Sequence, residues 1–284
     1  MSLVPRPGYE GIGPARLRVL GGPVLVELQS RFGDAAAAKV LAGEVVCADG
    51  RVVTESTELA AGDFIYWYRD LPQEVEVPFE MPLLYRDENI VVVDKPHFLA
   101  TMPRGGHVVQ TALVRLRRSL GVWELSPAHR LDRLTAGVLV FTARREVRGT
   151  YQTLFASGAA AKTYLACSAA GVLAEPVELR SRIVKRRGSL QAVEEPGEVN
   201  AVTLVEPQGD GLFRLTPRTG RTHQLRVHMS SLGLPINGDP LYPNILDVPP
   251  GDFSTPLQLL AHRLLFVDPV TGEQREFVSG RTLG

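Results

Sequence analysis

Apolar and polar positions alternate along this chain with two different periods, and the switches between them mark its elements. Short apolar runs bounded by polar residues or turn formers predict strands over Asn89–Asp94, Val138–Phe141 and Thr163–Ser168. From Thr111 to Leu120 the spacing becomes helical, with Leu113, Leu116 and Leu120 on one face and Gly121 available as a C-terminal cap. Arg145–Phe155 predicts a second helix, and His223–Leu232 a third that stops at Gly233, with Thr222 able to cap its start. Residues 178–216 read as a meander of strands turning near Arg187-Gly188 and Gly209-Asp210-Gly211. Upstream, Phe32–Leu41 carries an Ala-rich helical pattern, Gly43–Val53 two short strands around an Asp49-Gly50 turn, and Leu59–Trp67 a turn and a third strand. No fixed-period repeat is present, which excludes solenoids and propellers.

These elements group into three stretches. Residues 1–22 are rich in Gly and Pro and predict an extended arm. Residues 23–75 form a small N-terminal module, and 81–284 one large domain. Two prolines and alternating acids between Leu71 and Pro78 mark the link.

Composition narrows the class. The 284 residues are 44% hydrophobic and 22% charged, in the range of globular proteins. Runs such as Val91-Val92-Val93 are far too short to cross a bilayer, and Met1–Pro5 lacks the regions of a signal peptide, so no membrane association and a cytoplasmic location are expected. Cys47 and Cys167 lie far apart, with no Cys-x-x-Cys or Cys/His cluster, and neither a disulfide framework nor a metal site is expected.

Net charge is zero overall but strongly segregated. Residues 1–100 carry 9 Lys+Arg against 15 Asp+Glu, residues 101–228 carry 19 against 10, and residues 229–284 carry 3 against 6. The basic middle can neutralise phosphates even though the ends cancel its charge.

Within that basic stretch, His129-Arg130-Leu131-Asp132-Arg133-Leu134-Thr135-Ala136-Gly137 sets one carboxylate among three cations or potential cations, directly before an apolar strand. An isolated Asp between two Arg is as a rule a surface ion pair closing a turn. At a strand mouth in a basic cleft, the same acid can serve as a nucleophile or base on a polyanionic ligand.

The longer string decides for the second reading, because it resembles the signature of the RluA-type pseudouridine synthases, which isomerise uridine in structured RNA. Leu215-Thr216-Pro217-Arg218-Thr219-Gly220-Arg221-Thr222-His223-Gln224-Leu225-Arg226-Val227-His228 is similar to the family's other hallmark, followed by Leu234-Pro235-Ile236-Asn237-Gly238-Asp239. Between them, Ala161-Lys162-Thr163-Tyr164-Leu165 matches the strand that carries the family's active-site tyrosine, and Asp94-Lys95-Pro96 is similar to its strand ending in Asn/Asp-Lys-Pro. After Pro96 the chain departs from the family pattern, with His97-Phe98-Leu99-Ala100-Thr101 in place of x-Gly-Leu. The 23–75 module looks like a degenerate form of the RNA-binding module found ahead of many members, but its net acidity makes it a packing appendage.

The resemblance implies an α+β fold: a mixed, mainly antiparallel central sheet flanked by helices, with a small N-terminal α/β appendage. It implies Asp132 as the acid at the sugar, acting on the anomeric carbon or on a neighbouring ribose proton. It also implies Tyr164 stacked on the target base, and Arg226 paired with Asp132 through its bidentate fork. Arg130 would fill the space left by a flipped base, while His129, Arg133, Lys162, Arg221 and His223 complete an RNA-binding set. His129 is expected either to brace the loop or to touch phosphate. Isomerisation exchanges no electrons or groups, so no cofactor is expected. The implied partner is a stem-loop of ribosomal or transfer RNA, and a monomer is expected. An RNA-binding protein without turnover would not need Asp132, Tyr164 and Arg226 together, and a retaining glycosidase would want a second carboxylate that neither motif supplies.

Overall fold

The computed structural model describes residues 11–284, and the chain divides into two compact units at Gln73/Glu74. In the first unit, strands β1 (Ala15–Arg18) and β2 (Gly22–Pro23) lead into helices α1 (Val24–Phe32) and α2 (Asp34–Leu41). Strands β3 (Val46–Cys47), β4 (Glu58–Leu59) and β5 (Phe64–Trp67) follow. A three-stranded antiparallel sheet, ordered β1-β5-β3, packs Leu17, Ile65 and Trp67 against Val24, Leu28 and Val40 of the helices.

Two features here differ from expectation. Residues 15–18 are a sheet strand rather than part of an extended arm, because Leu17 and Val19 turn inward while Arg16 and Arg18 stay exposed. That alternation is too brief to stand out beside so many glycines and prolines. The rest of the expected arm, residues 1–10, lies outside the described residues. Helix α1 was not expected at all, since only Val24 and Leu28 are buried along it and Gly21-Gly22-Pro23 masks its start.

The second unit contains β6 (Leu83–Arg86), β7 (Ile90–Lys95), α3 (Ala112–Leu120), β8 (Ser126–Pro127), β9 (Ala136–Thr142), α4 (Arg145–Ala156) and β10 (Ala161–Cys167). It continues through β11 (Val177–Val184), β12 (Val193–Glu195), β13 (Ala201–Gly209), β14 (Leu212–Pro217), α5 (Gln224–Ser231), β15 (Leu259–Val267) and β16 (Gln274–Val278). One eleven-stranded sheet runs β12-β11-β13-β14-β10-β15-β9-β7-β6, with β16 paired to β15 and β8 to β9. Every pairing is antiparallel except β9 with β15. This is the mixed, mainly antiparallel sheet of an α+β protein.

Both faces of its middle are covered. On β7, Ile90 and Val92 join Val147, Tyr151 and Phe155 of α4, while Val91 and Val93 join Leu113 and Leu116 of α3 and Leu225 and Met229 of α5. A strand buried on both faces is apolar along its middle, which is why Ile90–Val93 of β7 and Val138–Phe141 of β9 read as unbroken runs. Helix α3 begins where Thr111 accepts from the Val114 amide at 3.3 Å and ends at Gly121, φ 67°, as the spacing predicts. Helix α5 differs, since its N-cap is His223, φ 59°, and Thr222 does not cap it.

The parallel contact sets Ala136 opposite Leu260 and Gly137 opposite Ala261. Gly137 has φ 113°, and a Cβ there would lie 2.2 Å from the Ala261 carbonyl oxygen, so only glycine fits between the 129–137 string and β15. Gly137→Ala should cost about 3 kcal/mol or more, read as a lowered midpoint in urea or thermal unfolding. A wild-type midpoint would show that the two strands do not approach this closely.

Candidate active site

Asp132 stands in the loop between β8 and β9, and the backbone around it is held from several directions. The Thr135 amide bonds the Asp132 carbonyl at 3.1 Å. Thr101 bonds both the carbonyl and the amide of Leu131, at 2.8 and 3.1 Å. The Lys95 ammonium reaches the Arg133 carbonyl at 3.2 Å, together with those of Leu99 at 2.7 Å and Pro96 at 3.0 Å. His97 Nδ1 bonds the Leu134 carbonyl at 2.8 Å. Four consecutive loop residues therefore have their carbonyls occupied, which fixes where the carboxylate points.

Lys95 is fully buried, and burial pushes its pKa down to about 7, against the pull of the Asp132 carboxylate. Accepting three bonds from one amine requires three protons, so the carbonyl cage favours the ammonium. The strand that ends in Lys95 is anchored in turn, with buried Asp94 accepting from the Ser279 hydroxyl at 2.8 Å and the Gly280 amide at 2.9 Å.

Arg226 rises from the first turn of α5 and is only 2% exposed. Its fork goes to Asp239: Nε donates to Oδ2 at 2.8 Å and Nη2 to Oδ1 at 2.6 Å. The expected bidentate pairing with Asp132 is corrected by this geometry. Asp132 Oδ2 lies 3.8 Å from the remaining nitrogen, Nη1, a looser ion pair whose acid is one-third exposed. A buried guanidinium needs its strongest partner to be buried too, and the Asp239 side chain is fully so. Asp239 Oδ1 also accepts from the Leu241 and Tyr242 amides at 2.8 and 3.2 Å.

Tyr164 and His223 complete the group around the acid. Burial pushes the Tyr164 phenol above its ordinary range, and the Asp132 carboxylate adds to the rise. At His223 burial lowers the pKa, and Asp132 opposes it. The His223 ring sits edge-on to Tyr242, with centroids 5.7 Å apart, and its Nδ1 bonds the Tyr242 hydroxyl at 2.9 Å.

The remaining expected residues divide. Arg130 and Arg133 are exposed on the same loop, and Arg130 makes no hydrogen bond or ion pair among the described residues. Arg221 is exposed, with its Nε donating to the Asn200 carbonyl at 3.1 Å. Two residues of the set gather at the Phe155 ring. Lys162 holds its amine 5.9 Å from the Phe155 ring centroid, on the α4 side, whereas Tyr164 packs against the opposite cluster. Two residues apart on a strand they should share a face, but the pairing with β15 slips between Thr163 and Tyr164. His129 stacks on Phe155 at 4.2 Å and its Nε2 accepts from the Val140 amide at 3.2 Å, which makes it a brace of the loop rather than a free phosphate contact. Burial drives its pKa to about 3, with Lys162 adding to the drop.

Asp239, Lys95, His97 and Thr101 were not singled out from sequence, although the first two lie inside quoted family strings. Their roles rest on partners distant in the chain, which local spacing does not reveal. Among the described residues, no cluster of three or more His, Cys, Asp or Glu side chains is placed to hold a metal ion, and no helix is long and apolar enough to cross a membrane.

Comparison with known proteins meets this geometry. The family model described as RNA pseudouridylate synthase matches residues 89–231, which span both signature strings. The dual-specificity RNA pseudouridine synthase RluA of Haemophilus influenzae is 30% identical over 215 residues, 72% of this chain and 95% of the relative. Ribosomal large subunit pseudouridine synthase D of Pseudomonas aeruginosa is 28% identical over 291 residues, 92% of this chain and 89% of the relative. Among solved structures, human RNA pseudouridylate synthase domain containing 4 superposes with a TM-score of 0.55 at 27% identity, covering 71% of this chain and 88% of that one. The chain belongs to the RNA pseudouridylate synthase family, RluA type, whose members are RNA isomerases.

The neutral state of half-buried His129 makes a stability prediction. With its folded pKa near 3 and an unfolded value near 6.5, the unfolded chain binds the extra proton between those limits. Stability should therefore fall as pH drops through that window, by up to about 1.4 kcal/mol per pH unit from this group. Urea midpoints measured from pH 7 to 4 should fall less steeply in His129→Phe, which keeps the ring contact but cannot be protonated. Equal slopes would mean the imidazole titrates normally.

Proposed function

We propose that this protein isomerises specific uridines in a stem-loop of large-subunit ribosomal RNA, transfer RNA or both, with Asp132 as the catalytic carboxylate. The observation that carries the assignment is Asp132 itself, one-third exposed on a loop whose neighbouring carbonyls are tied down, with a clamped guanidinium 3.8 Å away. The bond from the anomeric carbon to the uracil nitrogen must break, the base must turn, and carbon 5 must rejoin the sugar with loss of its proton. Asp132 either attacks the anomeric carbon or removes a neighbouring ribose proton, and both routes need the carboxylate free and oriented. Arg226 orients it, since its own position is set by Asp239.

Tyr164 stacks on the target base, and burial that suppresses its ionisation keeps the hydroxyl protonated at neutral pH, able to relay the proton from carbon 5 as a hydrogen-bonding group. The target must leave its stack to reach the cleft, and Arg130, exposed on the same loop as Asp132, occupies the gap. Arg133 and Arg221, also exposed, meet the RNA backbone. The protein acts as a cytoplasmic monomer, with residues 81–284 as the catalytic domain and 23–75 as a small N-terminal module.

Tritium release from RNA labelled at carbon 5 of uridine reads the reaction directly. Wild-type protein should release label while leaving the chain intact, and Asp132→Asn should reduce release by at least about four orders of magnitude while retaining RNA binding and thermal stability. Substantial release by Asp132→Asn would remove Asp132 from the chemistry.

A further inference from the structure

His223 holds a constrained and incompletely used position in this site. Its backbone lies in the left-handed region at φ 59°, uncommon for a residue with a side chain, yet it starts the helix that carries Arg226. Strain of this kind persists where the surrounding structure fixes it, and here Tyr242 does so.

The proton count at Tyr242 settles which form the ring takes. The Tyr242 hydroxyl donates to the Ala192 carbonyl at 2.9 Å and accepts from the Ala192 amide at 2.7 Å. Its single proton is therefore spent, and the 2.9 Å contact with His223 requires Nδ1 to be the donor. In the neutral ring Nε2 then carries the lone pair. Nε2 has no partner among the described residues and is not among the buried unpartnered atoms, so solvent reaches it. The ring edge facing away from Tyr242 is the edge left for the cleft. Around the ring stand Asp132 on its loop, Arg226 on α5, Asp239 and Tyr242 on the segment after α5, and Lys185 at the end of β11.

We propose that His223 is a specificity-determining residue whose Nε2, open to the cleft beside Asp132, accepts a hydrogen bond from an O–H or N–H of the target nucleotide. Within an RNA chain a uridine offers two donors, the ribose 2′-hydroxyl and the uracil N3–H. Cytidine lacks the second, and deoxyribose the first. The inference rests on the uridine-isomerising reading of the site. Protonation of Nε2 turns the acceptor into a donor, so activity through this contact is lost as pH falls. Burial keeps the ring neutral at pH 7.

His223→Asn isolates the contact, because Asn tolerates the left-handed backbone and its amide can donate to Tyr242 in place of Nδ1, leaving nothing where Nε2 was. With carbon-5-labelled total RNA from cells lacking this gene, wild-type release establishes the activity on its own, and its absence would sink the function rather than the role of His223. Given release, His223→Asn should keep the wild-type Tm, lose about five- to tenfold in kcat/KM and lack the acid limb of the wild-type pH profile. Wild-type kcat/KM with an unchanged acid limb would overturn the proposal and leave the ring acting only through Tyr242.

A second readout does not depend on turnover. In Asp132→Asn protein, the Kd is measured for a synthetic stem-loop copied from the mapped site, carrying 2′-deoxyuridine or 3-deazauridine at the target. One of the two should weaken binding about five- to tenfold, and the loss should disappear when His223→Asn is added. Deoxyuridine as the sensitive probe assigns the 2′-hydroxyl, and deazauridine the N3–H. Losses that are the same with and without His223 would refute the contact.

Discussion

A guanidinium with 2% of its surface exposed has to be matched by a buried carboxylate, and the Arg226–Asp239 fork meets that requirement. The rest of the site follows from it. With Nε and Nη2 committed to Asp239, Nη1 alone is left to look at Asp132, so the attraction between them is held off at 3.8 Å instead of closing into a second fork. An acid locked bidentately to Arg would be oriented but occupied. Held at this distance it is oriented and still accessible. Asp239 also gathers the Leu241 and Tyr242 amides, so the same carboxylate that aims Arg226 places the tyrosine that aims His223.

The loop bearing Asp132 is fixed by a separate set of polar contacts from the 95–101 segment. Lys95, His97 and Thr101 bind carbonyls on either side of the acid rather than the acid itself. Their work is geometric, and rigidity at this point has a chemical use because a misplacement of about 1 Å can cost two orders of magnitude in rate. The departure of this segment from the family pattern after Pro96 is thus a rebuilt support, with His97 and Thr101 each supplying a hydrogen bond to the loop.

How much of this could be read in the sequence depends on the range of each interaction. Strands β7 and β9 and helices α3 and α4 were legible because burial on one or both faces writes a local period into the chain. Asp132, Tyr164 and Arg226 were legible because their strings are long and ordered, and the structure brings all three together. Partner choice was not legible. Nothing in the spacing of Arg226 says that its fork turns to a residue 13 positions on rather than to Asp132. Nor was the face of Lys162 legible, since a slip in the pairing of β10 with β15 sets it on the opposite side from Tyr164 two residues on. Strand β1 and helix α1 were missed because a few buried side chains among glycines and prolines leave too short a pattern.

The parallel pairing of β9 with β15 has a consequence for the order of events during synthesis. β15, residues 259–267, lies in the middle of the sheet between β10 and β9, so the two halves of the cleft are joined by a strand translated after Asp132, Tyr164 and Arg226. Until the ribosome releases that segment, the half bearing Asp132 and the half bearing Tyr164 and Arg226 have no strand between them. A nascent chain of 250 residues carries Asp132, Tyr164 and Arg226 but lacks the strand that joins their two halves of the sheet, so assembly of the cleft waits on β15.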